Sequence, residues 1–158
     1  TEKAFSPLPL RRLAEPFEAL RDRADALAVR HGRRPRARLL GLGPLAEHKP
    51  RADFATNLLW AGGFECELSE PIEDAAAIES MGDADVLVLC GSDARYGEIA
   101  VAVLGALADP ASVPIVLAGR AGDLERDLRG AGLTHELFLG CDAVALLDEL
   151  LRAAEGGA

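Results

Sequence analysis

The chain predicts an α/β fold, a doubly wound sheet of five parallel strands in the order 2-1-3-4-5, preceded by an extra N-terminal helix. Three observations predict it. Five short apolar runs each give way to a stretch with helical periodicity, which is the signature of repeated βα units. Runs such as Val86-Leu87-Val88-Leu89 are apolar at every position, as strands covered on both faces must be. Glycines stand where helices should stop, at Gly62-Gly63, Gly82 and Gly132. The strand order follows because 2-1-3-4-5 is a common arrangement for five such units in a flavodoxin-like sheet.

Taken in order, residues 1–11 hold Pro7 and Pro9 without periodicity and read as an extended lead-in. Leu13, Phe17, Leu20, Ala24 and Leu27 then form one apolar stripe, with Glu15, Glu18, Arg21, Asp22 and Asp25 on the other faces. Pro16 is tolerated best in a first helical turn, so this helix is expected to begin close to it. Arg33-Arg34-Pro35-Arg36 reads as a solvated basic linker. These features divide the chain into a lead-in, helix and linker over residues 1–35 and an α/β domain over 36–158. The strands are expected at Arg38–Leu42, Phe64–Leu68, Val86–Leu89, Pro114–Ala118 and Glu136–Leu139. In the first intervening helix Phe54 and Leu58, with Ala55 and Leu59, are expected to line one face. In the last, capped by Asp142, the face is Ala143, Leu146, Leu147, Leu150 and Leu151.

Composition excludes several functions. Of 158 residues, 49% are apolar and 27% charged, so the chain can bury a core and is not disordered. A net charge of −9 argues against a nucleic-acid partner, whose phosphates demand a basic surface. No apolar run approaches the ~20 residues of a membrane span and no signal peptide precedes the first helix, so a cytoplasmic location without membrane contact is expected. Cys66, Cys90 and Cys141 are scattered and read as reduced, mostly buried thiols, although Cys90 and Cys141 end predicted strands, where a nucleophile could sit. The only methionine is Met81, so Thr1 is not an initiator, and the chain is either trimmed or a piece of something longer.

A ligand site in such a sheet lies beyond the carboxyl ends of the strands. That directs attention to Gly43–Arg51, Gly91–Tyr96, Gly119–Asp123 and Gly140–Asp142. Gly41-Leu-Gly43-Pro-Leu-Ala46 approaches a dinucleotide fingerprint. However, Pro44 and Pro50 place the helix start near Pro50 and leave the glycines in a long loop. A response regulator would need an acidic pair after the first strand and an Asp ending the third, where this chain has Gly43-Pro44 and Cys90-Gly91. His48 is the histidine of the first loop and the candidate ligand for a metal or a corrin cobalt. Between Glu47 and Lys49 it reads more simply as an exposed loop residue. His31 and His135 have no clustered partners, and no catalytic triad or carboxylate pair emerges.

Arg12–Arg21 resembles the segment leading into the C-terminal domain of acyl-CoA mutases. Arg36-Ala-Arg-Leu-Leu-Gly-Leu-Gly-Pro-Leu-Ala-Glu-His48, Phe54-Ala-Thr-Asn-Leu and Ala61-Gly-Gly-Phe64 are similar to the small subunit of heterodimeric methylmalonyl-CoA mutase. Val88-Leu-Cys-Gly-Ser-Asp93, Ala118-Gly-Arg-Ala-Gly-Asp-Leu124 and Phe138-Leu-Gly-Cys-Asp142 fit the same pattern. The resemblance implies a cobalamin-binding-like domain. Cofactor-binding members of that family carry Asp-x-His-x-x-Gly after the first strand, the His becoming a cobalt ligand. Counted back from Ala55-Thr56, those positions hold Leu45, Glu47 and Pro50. Shifted by one they hold Ala46, His48 and Arg51, so the His lacks its orienting acid. The family's Ser-x-Leu loop is here Ser92-Asp93-Ala94, and its Gly-Gly is Gly119-Arg120.

The implied function is a non-catalytic twin that pairs with a catalytic mutase subunit in a heterodimer. That partner, holding adenosylcobalamin, interconverts methylmalonyl-CoA and succinyl-CoA. No catalytic residue and no metal site is expected in this chain, and no cofactor bound by it, with His48, Ser92 and Gly119 as the residues to watch. Family members join such a domain to an N-terminal (β/α)₈ barrel, so a fragment is expected here. The alternatives are a genuine cobalamin-binding domain using His48, or a nucleotide- or small-molecule-binding protein of flavodoxin-like fold.

Overall fold

The computed structural model describes residues 10–77, 84–107 and 113–156, with side chains from Glu15 onward. Five parallel strands, β1 (Arg36–Gly41), β2 (Glu65–Leu68), β3 (Val86–Cys90), β4 (Ile115–Ala118) and β5 (His135–Leu137), form one sheet in the order β2-β1-β3-β4-β5. The expected order holds, and each strand lies within about two residues of its expected bounds. β3 is buried along its whole length, as its unbroken apolar run requires. β2 is an edge strand whose Glu65 and Glu67 face Arg36 and Arg38 across the β1 register, at 4.0 and 3.4 Å.

Helices cover both faces. On one side lie α1 (Leu10–His31), α2 (Leu45–Ala61) and α6 (Ala143–Gly156); on the other, α4 (Val101–Ala106) and α5 (Glu125–Gly130). A short α3 (Asp93–Arg95) runs through a π-helical turn, Tyr96–Ala100, into α4. Asp142 caps α6 by accepting from the Ala145 N–H, and Leu146, Leu147, Leu150 and Leu151 are buried as the periodicity requires. Gly62 follows α2 at its C-cap, while Gly82 lies outside the described residues.

The N-terminal helix belongs to the core. Leu20, Ala24 and Leu27 are buried in the same apolar cluster as Leu59, Phe64, Leu147 and Leu151, with Phe17 packed against it; the side chain of Leu13 lies outside the described residues. Arg23 pairs across to Asp148 and Glu155 of α6. α1 begins at Leu10 rather than near Pro16: the Pro16 ring sits on the exposed face, where a carbonyl deprived of its intrahelical donor can turn to water. The basic run after α1 is not a free solvated linker. Arg33 pairs with Asp85 at 2.9 Å, Arg34 pairs with Asp25, and Pro35 is buried.

Candidate functional site

The switch point lies where β1 and β3 part, between the helices that follow them. Its first wall differs from the expectation. α2 starts at Leu45, directly after Gly43 and Pro44, so there is no long loop to Pro50. Pro50 is tolerated inside the helix because it is on the solvent face together with Ala46, whose carbonyl it leaves unpaired.

The early start turns His48 inward. With Ala52, Ala55 and Leu59 it forms the buried face of α2, at spacings of 4, 3 and 4, and it is 0% exposed. The exposed-loop reading of His48 is therefore corrected, and the reason is the helix register. Its Nδ1–H donates to the Gly43 carbonyl at 3.1 Å, and Nε2 is buried with no hydrogen-bond partner among the described residues. The ring lies against Gly41, where a Cβ would stand 2.4 Å from Nε2. Phe54, in contrast, points outward and is partly exposed, so it does not share a buried face with Leu58.

Two arginines fill the rest of the crevice. Arg51 donates to the Gly91 carbonyl at 2.7 Å and to Asp93 at 2.9 Å, and lies 5.3 Å from the centre of the Tyr96 ring. The same guanidinium lies against Gly119, whose φ of +126° suits glycine and whose Cβ would meet it at 3.1 Å. Arg95 donates to Glu47 at 2.8 Å, with Glu73 and Glu98 also within ion-pair range. Arg95 and Glu47 lie over Gly43, within 2.5 and 2.9 Å of where its Cβ would be. The glycine turn that a pyrophosphate would have to approach is thus already covered by an ion pair. Hydrogen bonding from Arg95 holds the Glu47 carboxyl below its ordinary range, which keeps a carboxylate at the α2 N-terminus.

Tyr96 ties this end of the sheet together. Its buried hydroxyl accepts from the Gly91 N–H at 3.0 Å and faces the carbonyls of Leu89 on β3 and Ala118 on β4. Burial raises its pKa far above the usual phenol value, so it is a neutral strut. Ser92 caps α3 by accepting from the Arg95 N–H at 3.2 Å. Cys90, at the end of β3, is fully buried and burial pushes its thiol up to about 12, while Cys66 is pushed to about 11. Neither is a thiolate near neutral pH. Cys141 is half-buried in the turn before α6.

Beside the filled switch point, at the β4 and β5 ends, a groove of about 510 Å³ remains open, lined by Pro50, Arg51, Phe54, Arg120, Phe138 and Leu139 among others. No group of three or more metal-donor side chains occurs among the described residues, and none of their helices is long and apolar enough to cross a membrane.

No protein-family model matches the chain. It is 40% identical over 148 residues to the methylmalonyl-CoA mutase small subunit of Streptomyces virginiae, a match covering 91% of this chain. The chain is a homologue of the methylmalonyl-CoA mutase small subunits. The corresponding protein of Porphyromonas gingivalis is 31% identical over 154 residues, 96% of this chain. The probable small subunit of Mycobacterium bovis is 52% identical over 92 residues, 56% of this chain and 15% of that protein. The chain spans 23% of the length of the Streptomyces and Porphyromonas subunits. Among solved structures, a response regulator from Thermotoga maritima superposes with a TM-score of 0.53 over 77% of this chain and 98% of its own, at 15% identity. That likeness is one of fold.

Of the three residues singled out in this small-subunit homologue, Ser92 and Gly119 do flank the crevice, and His48 lies beneath it. Both His48 nitrogens are buried, Nδ1 against the Gly43 carbonyl and Nε2 against Gly41, and the Arg51 guanidinium stands over Gly119. Sequence reasoning misses Arg51, Arg95 and Tyr96. The available signal for Arg51 is its place three residues after His48, one turn further along the same helix. His135 lacks a clustered partner in the sequence, yet its Nε2 lies 2.7 Å from Glu149 and its Nδ1 2.8 Å from the Thr134 hydroxyl. The Glu149 contact joins β5 to α6, away from the crevice.

Proposed function

We propose that this chain is a non-catalytic, degenerate cobalamin-binding-like domain of a methylmalonyl-CoA mutase small subunit. It acts in pairing with, and supporting, the catalytic subunit that interconverts methylmalonyl-CoA and succinyl-CoA with adenosylcobalamin. The observation that carries this reading is the switch-point crevice filled by the chain's own side chains. His48 is sealed under Gly41, Arg51 is pinned to Gly91 and Asp93, and Arg95 with Glu47 covers Gly43. The buried thiols and the neutral Tyr96 supply no nucleophile or base to that crevice.

Isothermal titration with adenosylcobalamin tests the cofactor half of the proposal and should give no saturable heat. A low-micromolar fit that disappears in His48→Ala would overturn it in favour of a genuine cobalamin-binding domain. Sedimentation velocity with the purified catalytic subunit tests the pairing half, and a mixture that sediments as two independent species refutes it.

A further inference from the structure

We propose that the groove at the β4 and β5 ends is a docking site for a protein segment of the catalytic subunit in which an Asp or Glu lies beside a large aliphatic or aromatic side chain. This inference rests on the pairing function proposed above. The groove has exposed apolar residues on its rim, beside Asp93, which is also exposed there and is paired with Arg51. Leu139 is 87% exposed and Phe54 37%, and both stand on its rim with Pro50 and Phe138. Of its two arginines, Arg120 supplies the chemistry. The Arg120 guanidinium is stacked 4.3 Å from the centre of the Phe138 ring, and Arg120 is exposed to solvent.

Arg120 has no ion pair with any carboxylate among the described residues, and the chain as a whole carries 26 Asp and Glu against 17 Lys and Arg. The neighbouring arginines differ. Arg51 is held by Asp93, and Arg95 by Glu47, Glu73 and Glu98. On so acidic a molecule, an exposed, ring-stacked guanidinium without an ion-pair partner among the described residues can take a carboxylate from elsewhere. Leu139 and Phe54 then take the adjoining apolar side chain, giving the arrangement of apolar anchor and polar rim that binding surfaces use. The groove adjoins the crevice, since Arg51, Asp93 and Gly119 line it too, and the Arg51 guanidinium over Gly119 forms its inner wall. A docked segment would therefore lie on the surface.

The test measures binding of the chain to the purified catalytic subunit by sedimentation velocity and biolayer interferometry, comparing Arg120→Glu, Leu139→Asp and the distant surface variant Arg152→Glu. Arg120 and Leu139 are exposed, so all three variants should melt like the parent. Arg120→Glu and Leu139→Asp should each weaken binding about tenfold or more, within the range for central interface residues. Arg152→Glu should change it less than twofold, and added salt should weaken the parent more than Arg120→Ala. If the parent binds and both groove variants bind equally well, the docking site is refuted while the pairing function stands. If the parent does not bind the catalytic subunit, the pairing function and this occupant fall together.

Discussion

The placement of His48 beneath Gly41 can be tested by a double-mutant cycle. In Gly41→Ala the new methyl would stand 2.4 Å from Nε2, 2.7 Å from Cε1 and 2.8 Å from Cδ2 of the His48 ring. Ordinary non-bonded contacts are about 3.5–4.0 Å, so ring and strand must separate by about 1 Å. The ring is fully buried and tied to the Gly43 carbonyl, which puts the cost in the range of about 1–3 kcal/mol for overpacking a core. His48→Ala loses the Nδ1 hydrogen bond and leaves a cavity, at a cost of about 2–4 kcal/mol. In the double variant the methyl introduced by Gly41→Ala enters the space vacated by the imidazole. Its destabilisation should therefore fall below the sum of the two singles by about 1–2 kcal/mol. Urea unfolding with linear extrapolation measures each corner of the cycle. Additivity to within about 0.5 kcal/mol, the behaviour of independent sites, would mean that the imidazole does not lie under Gly41.

Four further outcomes are expected. Tyr96→Phe leaves the Gly91 N–H without its acceptor and should cost about 1–3 kcal/mol, seen as a fall in Tm of roughly 2–12 °C; an unchanged Tm contradicts the strut. Cys90 should resist iodoacetamide at pH 8 in the folded chain and react only in denaturant, as read by peptide mass mapping, because burial pushes its thiol up to about 12. Glu47 has its folded-state pKa depressed, so the Arg95 pair contributes fully above the ordinary carboxylate range and is lost as pH falls through the depressed value. Carboxyl NMR titration should then find the Glu47 midpoint below that of a solvent-exposed Glu, and a midpoint at or above it contradicts the pair. Removing residues 1–33 strips Leu20 and Leu27 from the core, a loss of about 3–6 kcal/mol from a total near 5–15, and sedimentation velocity should show unfolding or self-association rather than a stable monomer.

The fold is legible because it depends on signals spread over many residues. The unbroken apolar runs of β3 and β4 declare strands covered on both sides, and the α6 stripe of Leu146, Leu147, Leu150 and Leu151 is bound to face inward. The site is less legible because it depends on where one helix begins. Pro16 and Pro50 suggest helix boundaries, yet both lie inside helices, on faces where water can satisfy the freed carbonyl. Moving the α2 start from Pro50 to Leu45 carries His48 from an expected loop into the core and Arg51 into the crevice. Tyr96 stands at the margin of a loop that the sequence already singles out. Nothing in its neighbours announces that its hydroxyl reaches Gly91 and the β4 carbonyl, because those contacts depend on how the strands come together.

The contacts around the crevice act as a set. His48 and Arg51 are three residues apart on one helix, so a single register aims one ring down at Gly41 and one guanidinium across at Gly119. A bound ligand would have to displace Arg51 from a carbonyl, a carboxylate and the Tyr96 ring face together, and would still meet an imidazole whose nitrogens face backbone. Each of those contacts is modest alone, and Asp93 is largely exposed, so its ion pair contributes little by itself. Their joint effect is to join β1, β3, β4 and α2 at the end of the sheet where a pocket would otherwise weaken it. A ligand entering this end of the sheet would have to break several of these contacts at once.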